Sequence, residues 1–128
     1  VDLTDCPDLF PPLAALAAFA QKPSSFKGLH RLENKESNRG QAIQTEWAKV
    51  GIRVELNEGE DTMVVHPGEV NSARLESHGD HRMAMAAALF GAAGAPGEVV
   101  GAEAVAKSYP AFFDDLEALG VRIQAVAR

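Results

Sequence analysis

Residues 79–89, GDHRMAMAAAL, place three ionisable side chains directly before an apolar, alanine-rich run. Asp80 is a suitable helix N-cap, so the pattern predicts a helix over residues 81–92. After Arg82 this helix has no polar face, which predicts that it is deeply buried. We therefore expect a central helix whose first turn carries charged side chains.

The same arrangement occurs earlier in the chain, which indicates an internal repeat. Asp8 precedes the run LFPPLAALAAFA at residues 9–20, whose two prolines a helix tolerates only in its first turn. Asp8 and Asp80 are 72 residues apart, and so are Lys35 and Lys107. Each aspartate precedes an apolar helix, and each lysine precedes a more polar one. The predicted tandem units are residues 1–70 and 71–128.

Periodicity and turn residues predict the remaining elements. Ser37 is a suitable N-cap for a helix that runs to residue 50, and Gly51 ends that helix. Residues 52–56 and 62–66 alternate as two strands of a hairpin should. Further predicted elements are strands over residues 24–32, 72–77, 98–101 and 121–126, and a helix over residues 110–119 that Gly120 ends. Together these elements predict an α/β fold.

Composition bounds the function classes. At 128 residues, 46% hydrophobic and 23% charged, the sequence is typical of a soluble globular domain. A net charge of −6 argues against a broad nucleic-acid surface, so the cations are better explained as pocket residues. A single cysteine, Cys6, excludes an internal disulfide and favours a cytoplasmic location. No apolar stretch approaches the roughly 20 residues of a membrane span, and the start at Val1 predicts a piece of a longer protein.

Most of the informative charge lies in four short clusters, at residues 7–8, 35–39, 79–82 and 107–110. Three of them directly precede a predicted helix. Free N–H groups and the helix dipole favour anions at such positions. The cations in the clusters are Lys35, Arg39, His81, Arg82 and Lys107, and the carboxylates are Asp8 and Glu36. This set predicts a site for a small, multiply anionic substrate that undergoes acid–base chemistry.

Each cluster also has a plainer interpretation. Lys35 and Arg39 are compatible with a solvated first turn whose surface ion pairs are worth about 0–1 kcal/mol each. Asp8 and Asp80 are compatible with simple N-caps. No pair of histidines has metal-ligand spacing and the glycines form no phosphate-binding loop, so the sequence predicts neither a metal nor a cofactor.

Four motifs resemble the 5-enolpyruvylshikimate-3-phosphate synthase family. They are CPDLFPPLAALAAFA at 6–20, RLENKESNR at 31–39, GDHRMAMAAAL at 79–89 and KSYPAFFDDLEALG at 107–120. The resemblance covers nearly the whole chain, in the family's order. It implies tandem βαβαββ units with helices packed on small mixed sheets, taken from the C-terminal portion of the enzyme. It also implies that an N-terminal domain, absent from this sequence, supplies further cations, so that this chain alone is inactive.

The resemblance implies the activity as well. The family transfers the enolpyruvyl group of phosphoenolpyruvate to the 5-hydroxyl of shikimate 3-phosphate, on the route to chorismate and the aromatic amino acids. By motif, Asp8 would take the proton of that hydroxyl, and Glu36 would protonate the methylene carbon of phosphoenolpyruvate. Lys35 would contact the hydroxyl and the bridging oxygen.

The remaining cations would bind phosphoenolpyruvate. By the same resemblance, Arg39 and Arg82 would bind its carboxylate, Lys107 would bind its phosphate, and His81 would be a hydrogen-bonding neighbour. Two positions depart from the family pattern. Asn38 stands where the family commonly has aspartate, and Arg31 stands near a position where the family commonly has a polar group for the substrate hydroxyls.

Three other interpretations stay open. UDP-N-acetylglucosamine enolpyruvyl transferase shares the fold and chemistry but lacks these motifs in this form. A non-catalytic anion-binding or regulatory domain would need the cations, whereas Asp8 and Glu36 would repel its ligand. An inert structural fragment is the third.

Overall fold

The computed structural model describes residues 1–35, 37–95 and 97–124. Four α-helices occur in the described part of the chain: α1 (Phe10–Ala17), α2 (Arg39–Lys49), α3 (His81–Ala92) and α4 (Phe112–Ala118). The strands there are β1 (Ser24–Lys27), β2 (Arg53–Asn57), β3 (Thr62–His66), β4 (Arg74–Glu76) and β5 (Glu98–Val100). Short 3₁₀ helices cover Pro7–Leu9, Leu29–Leu32, Glu58–Glu60 and Ala102–Lys107. The α/β class is confirmed.

Two small sheets carry these strands. The first is antiparallel in the order β1-β3-β2, and it contains the predicted hairpin of β2 and β3, in which Val54 faces Val65. The second is a parallel pair of β4 and β5. The parallel pairing brings the end of β4 next to the end of β5, so the loops that follow these two strands lie together at one edge.

Helices α1 and α3 pack against each other in the centre of the core, as their alanine content allows. Trp47 on α2 joins them: its ring contacts Phe90 of α3 edge-on at 5.0 Å, and its Nε1 donates to the Ala14 carbonyl of α1 at 3.0 Å. The three helices therefore pack together as one unit, which restricts how their N-termini can move relative to each other.

The order helix, strand, 3₁₀ helix, helix occurs twice along the chain. In both occurrences a glycine with positive φ precedes the 3₁₀ helix, Gly28 at +110° and Gly101 at +74°. A β-carbon at Gly28 would lie 2.9 Å from the Thr4 backbone, so this position requires glycine on two grounds. The division into units of residues 1–70 and 71–128 stays a prediction.

Two predicted boundaries in the first half of the chain are wrong. Helix α2 is capped by Asn38, whose side chain accepts from the Gln41 N–H at 3.1 Å, because the Ser37 hydroxyl instead bonds a distant carboxylate. The first strand ends at Lys27, since Gly28 turns the chain into a 3₁₀ helix.

The C-terminal elements also differ from the prediction. Helix α4 begins and ends inside the predicted 110–119. Residues 121–124 adopt no regular structure, because no strand in the described chain pairs with them, and residues 125–126 of the predicted strand lie outside the described residues. Among the described residues, no helix is long and apolar enough to cross a membrane.

Candidate functional site

A buried ion pair joins the starts of helices α2 and α3. Arg39, the first residue of α2, is 1% exposed, and Asp80, the N-cap of α3, is fully buried. The Arg39 Nε donates to Asp80 Oδ2 at 2.8 Å, and its Nη2 donates to Oδ1 at 3.2 Å. This two-point contact fixes both the position and the plane of the guanidinium.

The same guanidinium reaches the start of α1. The Arg39 Nη1 donates to Asp8 Oδ1 at 2.8 Å, and Asp8 lies in the 3₁₀ helix that leads into α1. The other oxygen of Asp8 lies 3.6 Å from Nη2 of Arg82, in the first turn of α3. Asp8 is thus placed between two guanidinium groups, while half of its side chain remains open to solvent.

Both carboxylates are held in the charged form. Burial raises the pKa of Asp80, but hydrogen bonds from Arg39 and Ser37, the Arg39 charge and the Arg82 N–H outweigh it and set the pKa below its ordinary value. Partial burial likewise raises the pKa of Asp8. The Arg39 hydrogen bond and the charges of Arg82, Arg39 and Lys35 reverse that effect, so the pKa of Asp8 is also lowered.

Two buried nitrogens beside this pair have no hydrogen-bond partner among the described residues. They are the Nε of Arg82 and the Nδ1 of His81. Buried donors and acceptors are normally satisfied, so these two nitrogens at the start of α3 are exceptions in the described part of the chain. The Arg82 side chain as a whole is 38% exposed.

Lys107 and Lys35 are the remaining predicted cations of the site. Lys107 ends the 3₁₀ helix after β5, and its Nζ donates to the Gly79 carbonyl in the loop before α3. Lys35 is half-buried, and its charge acts on Asp8. The predicted residue Glu36 lies outside the described residues. Of the predicted set, the structure therefore brings together Asp8, Lys35, Arg39, His81, Arg82 and Lys107.

The sequence did not predict the distant hydrogen-bond partners of Asp80. Asp80 was expected as a helix cap, and it does accept from the Arg82 N–H at 2.9 Å, but it also binds Arg39 from 41 residues away. Ser37 also donates to Asp80, at 2.7 Å. The only sequence signal for this pairing was the position of both charges at helix starts.

Other features of the described chain lie apart from this cluster. A cavity of about 1070 Å³ is bordered by β4, β5, α3 and α4, but none of the predicted site residues lines it. No three metal-ligating side chains of the described residues come together in a way that would hold a metal ion. The charged cluster at the three helix starts is therefore the candidate site.

Comparison with known proteins agrees with the motifs. The sequence pattern of the family described as EPSP synthase (3-phosphoshikimate 1-carboxyvinyltransferase) matches residues 1–116. The chain belongs to the EPSP synthase family.

Individual members of the family show how much of an EPSP synthase this chain matches. The 3-phosphoshikimate 1-carboxyvinyltransferase of Methanopyrus kandleri is 44% identical over 127 residues, which are 98% of this chain and 29% of the relative. That of Aeropyrum pernix is 42% identical over 127 residues, with the same coverage. The 2.37 Å structure of EPSP synthase from Acinetobacter baumannii superposes with a TM-score of 0.76 at 29% identity, over 90% of this chain and 27% of that one.

The chain thus spans somewhat under a third of the length of the EPSP synthases it matches. The similar fold of the Acinetobacter enzyme confirms the enolpyruvate transferase-like architecture that the motifs imply.

Proposed function

We propose that this chain is part of a 3-phosphoshikimate 1-carboxyvinyltransferase. That enzyme would transfer the enolpyruvyl group of phosphoenolpyruvate to the 5-hydroxyl of shikimate 3-phosphate and release phosphate. The supporting observation is the placement of the half-exposed Asp8 carboxylate between the guanidinium groups of Arg39 and Arg82, at 2.8 Å and 3.6 Å. A base beside cations suits a reaction in which an anionic substrate is attacked by a hydroxyl.

Asp8 serves as the base in this proposal. Its lowered pKa keeps it ionised at neutral pH, so it can accept a hydrogen bond from the 5-hydroxyl. As the 5-oxygen bonds to C2 of phosphoenolpyruvate, the hydroxyl proton passes to Asp8 and a second proton adds to C3. The resemblance assigns that second proton to Glu36. Loss of a proton from C3 and cleavage of the C2–O bond to phosphate then restore the double bond.

The cations divide into ligand-binding and structural groups. Arg82 and Lys107 are accessible and bind the anionic groups of phosphoenolpyruvate, and His81 beside Arg82 is a hydrogen-bonding neighbour. Arg39 is buried against Asp80 and Asp8, so its primary part is to fix these carboxylates. Binding of the phosphoenolpyruvate carboxylate by Arg39 would require the substrate to replace Asp8 at Nη1.

Two anionic substrates need more positive charge than these side chains supply, especially in a chain whose net charge is −6. We propose that an N-terminal domain of the same polypeptide provides the rest, and that the site closes between the two parts. The chain alone is then inactive. We further propose that the protein works in the cytoplasm, where a single cysteine such as Cys6 is typical.

The test is phosphate release by the full-length protein, measured with phosphoenolpyruvate and shikimate 3-phosphate together and separately. Asp8→Asn removes the base and should lower kcat by about 10²–10⁴-fold while shikimate 3-phosphate still binds. Asp5→Asn is the matched control, since Asp5 is an exposed aspartate three residues earlier.

Two results would overturn the proposal. One is wild-type turnover in Asp8→Asn. The other is phosphate release that requires UDP-N-acetylglucosamine instead of shikimate 3-phosphate. Binding of both substrates without turnover by the full-length wild type would favour the non-catalytic anion-binding domain.

A further inference from the structure

A second buried carboxylate lies next to the site and has no part in the chemistry above. Glu46 is 1% exposed and lies in the last half of α2. Its Oε1 accepts from the Glu76 N–H at 2.8 Å and from the Lys49 Nζ at 2.6 Å, and its Oε2 accepts from His78 Nε2 at 2.8 Å. Because a carboxylate only accepts, His78 carries its proton on Nε2 in this contact.

Two of these contacts are to the segment that leads from β4 into α3. Glu76 ends β4, and His78 lies in the loop between β4 and the Asp80 cap. His78 has a φ of +57°, and Gly79 follows with a φ of +67°. A histidine in the left-handed region is uncommon, so the contact to Glu46 helps to select this turn from more favourable backbone conformations.

Glu46 and Arg39 lie on the same face of α2, because they are seven residues apart. Glu46 binds the beginning of the connecting segment and Arg39 binds its end, at Asp80. Helix α2 therefore fixes both ends of a five-residue segment with two buried, oppositely charged side chains.

The segment between these contacts carries the site. The Gly79 carbonyl accepts from Lys107, Asp80 binds Arg39 and Ser37, and Arg82 follows in the first turn of α3. A shift of the His78–Gly79 turn would move these groups relative to Arg39. Misplacement by about 1 Å costs as much as 10²-fold in rate when groups must meet a substrate together.

We propose that Glu46 is a positioning residue: through His78 and the Glu76 N–H it sets the turn that places Asp80, Arg82 and Lys107 around the anionic substrate. The placement of Asp80 against Arg39 is independent of the reaction, whereas the effect on phosphoenolpyruvate rests on the proposed function. Neither His78 nor Glu46 is among the residues that the sequence analysis singles out.

Three variants of the full-length protein separate positioning from simple loss of stability. Glu46→Gln keeps the shape of the side chain but turns an NH₂ group toward donors. His78→Asn tolerates the left-handed backbone, and its shorter side chain loses the contact to Glu46. Lys49→Met is the matched control, because it removes the charge pair on Glu46 and leaves both contacts to the loop.

Steady-state kinetics give the first readout, at a temperature where each variant is fully folded. Glu46→Gln and His78→Asn should raise the KM for phosphoenolpyruvate by about tenfold or more and leave that for shikimate 3-phosphate within twofold. Lys49→Met should leave both within twofold. A variant that only loses folded molecules would lower kcat without changing either KM. That pattern, or equal effects of Lys49→Met and His78→Asn, would overturn the proposal.

The second readout needs no substrate turnover. The ¹H–¹⁵N signal of the Arg39 Nε group reports its bond to Asp80, and it should shift in Glu46→Gln and His78→Asn but not in Lys49→Met. An unchanged signal in the first two variants would overturn the proposal. If the wild type shows no enolpyruvyl transfer but the signal shifts as expected, the proposed function fails and the positioning role stands.

Discussion

Replacing Asp80 by asparagine isolates the energetic contribution of the buried ion pair. Asparagine is as good an N-cap as aspartate, so the start of α3 is preserved. The variant loses the charge and turns an NH₂ group toward Arg39 or Ser37, both of which donate to Asp80. Removing one partner of a buried ion pair costs about 3–5 kcal/mol. Since Arg39 retains Asp8, we expect the lower end, about 3 kcal/mol of unfolding free energy.

Two further variants separate the components of that loss. Asp80→Ala also removes the cap and should cost about 1 kcal/mol more than Asp80→Asn. Arg39→Met removes the buried cation and keeps an apolar stem of similar length. The double variant Arg39→Met with Asp80→Asn should lose less than the sum of the two single variants, by about 2 kcal/mol or more, because the contact is counted twice in that sum.

The pH dependence of the loss follows from the pKa of Asp80. Burial raises that pKa, but the contacts with Arg39 and Ser37 lower it by more than burial raises it. The pKa of Asp80 in the folded protein therefore lies below its ordinary value of 3.8. The stabilisation is therefore complete above pH 3.8 and is lost as the pH falls through the lower folded-state pKa. The difference between wild type and Asp80→Asn should be constant between about pH 5 and 8 and shrink below about pH 4.

Urea unfolding followed by tryptophan fluorescence measures these quantities. Trp47 is the single tryptophan and is fully buried, so its emission reports the core that joins the three helices. A loss below about 1 kcal/mol for Asp80→Asn at pH 7 would show that the ion pair is not held as described, since that is the range of exposed pairs. A loss that does not shrink in acid would contradict the stated cause of the pKa shift.

Three other predictions follow from single contacts. Arg82→Lys replaces a planar fork by a point charge and should weaken phosphoenolpyruvate binding on the order of tenfold by isothermal titration, with unchanged affinity arguing against the contact. Trp47→Phe loses the Nε1–H bond to Ala14 and ring volume, and should cost about 2 kcal/mol by urea unfolding under circular dichroism. Gly28→Ala should lower the free energy of unfolding by at least about 1 kcal/mol more than Gly79→Ala. Of these two positions, only Gly28 would place the added β-carbon 2.9 Å from backbone atoms, so equal losses in the two variants would refute the close approach.

Elements with a strong local signal were predictable from the sequence. Helix α3 begins directly after Asp80, as the cap and the apolar run predict, and β3 covers Thr62–His66 as predicted. These signals depend on residues within one turn or one hairpin, where capping and alternation act. The offset of 72 residues predicts that Asp8 and Asp80 each precede an apolar helix, and they lie just before α1 and α3 respectively.

Boundaries and partners that depend on distant residues were not predictable in this way. Ser37 and Asn38 are both good N-caps, and the choice falls to Asn38 because Ser37 bonds Asp80, 43 residues away. The prediction placed Arg39 at a ligand, yet its deep burial follows from two carboxylates on other helices. No local sequence signal predicts the contacts of Glu46 to the turn, since Glu76 and His78 lie 30 and 32 residues along the chain.

The proposed function requires that side chains from the starts of three helices form one site for an anionic substrate. Amide chemical-shift mapping of the 128-residue chain with phosphoenolpyruvate, against equal ionic strength of sodium chloride, tests it directly. We expect a partial site to bind phosphoenolpyruvate with a Kd on the order of millimolar, which chemical-shift mapping can detect. We expect shifts that saturate together at Asp8, Arg39, Asp80 to Arg82 and Lys107. Shifts confined to other surfaces, or none beyond those caused by the salt, would contradict the claim.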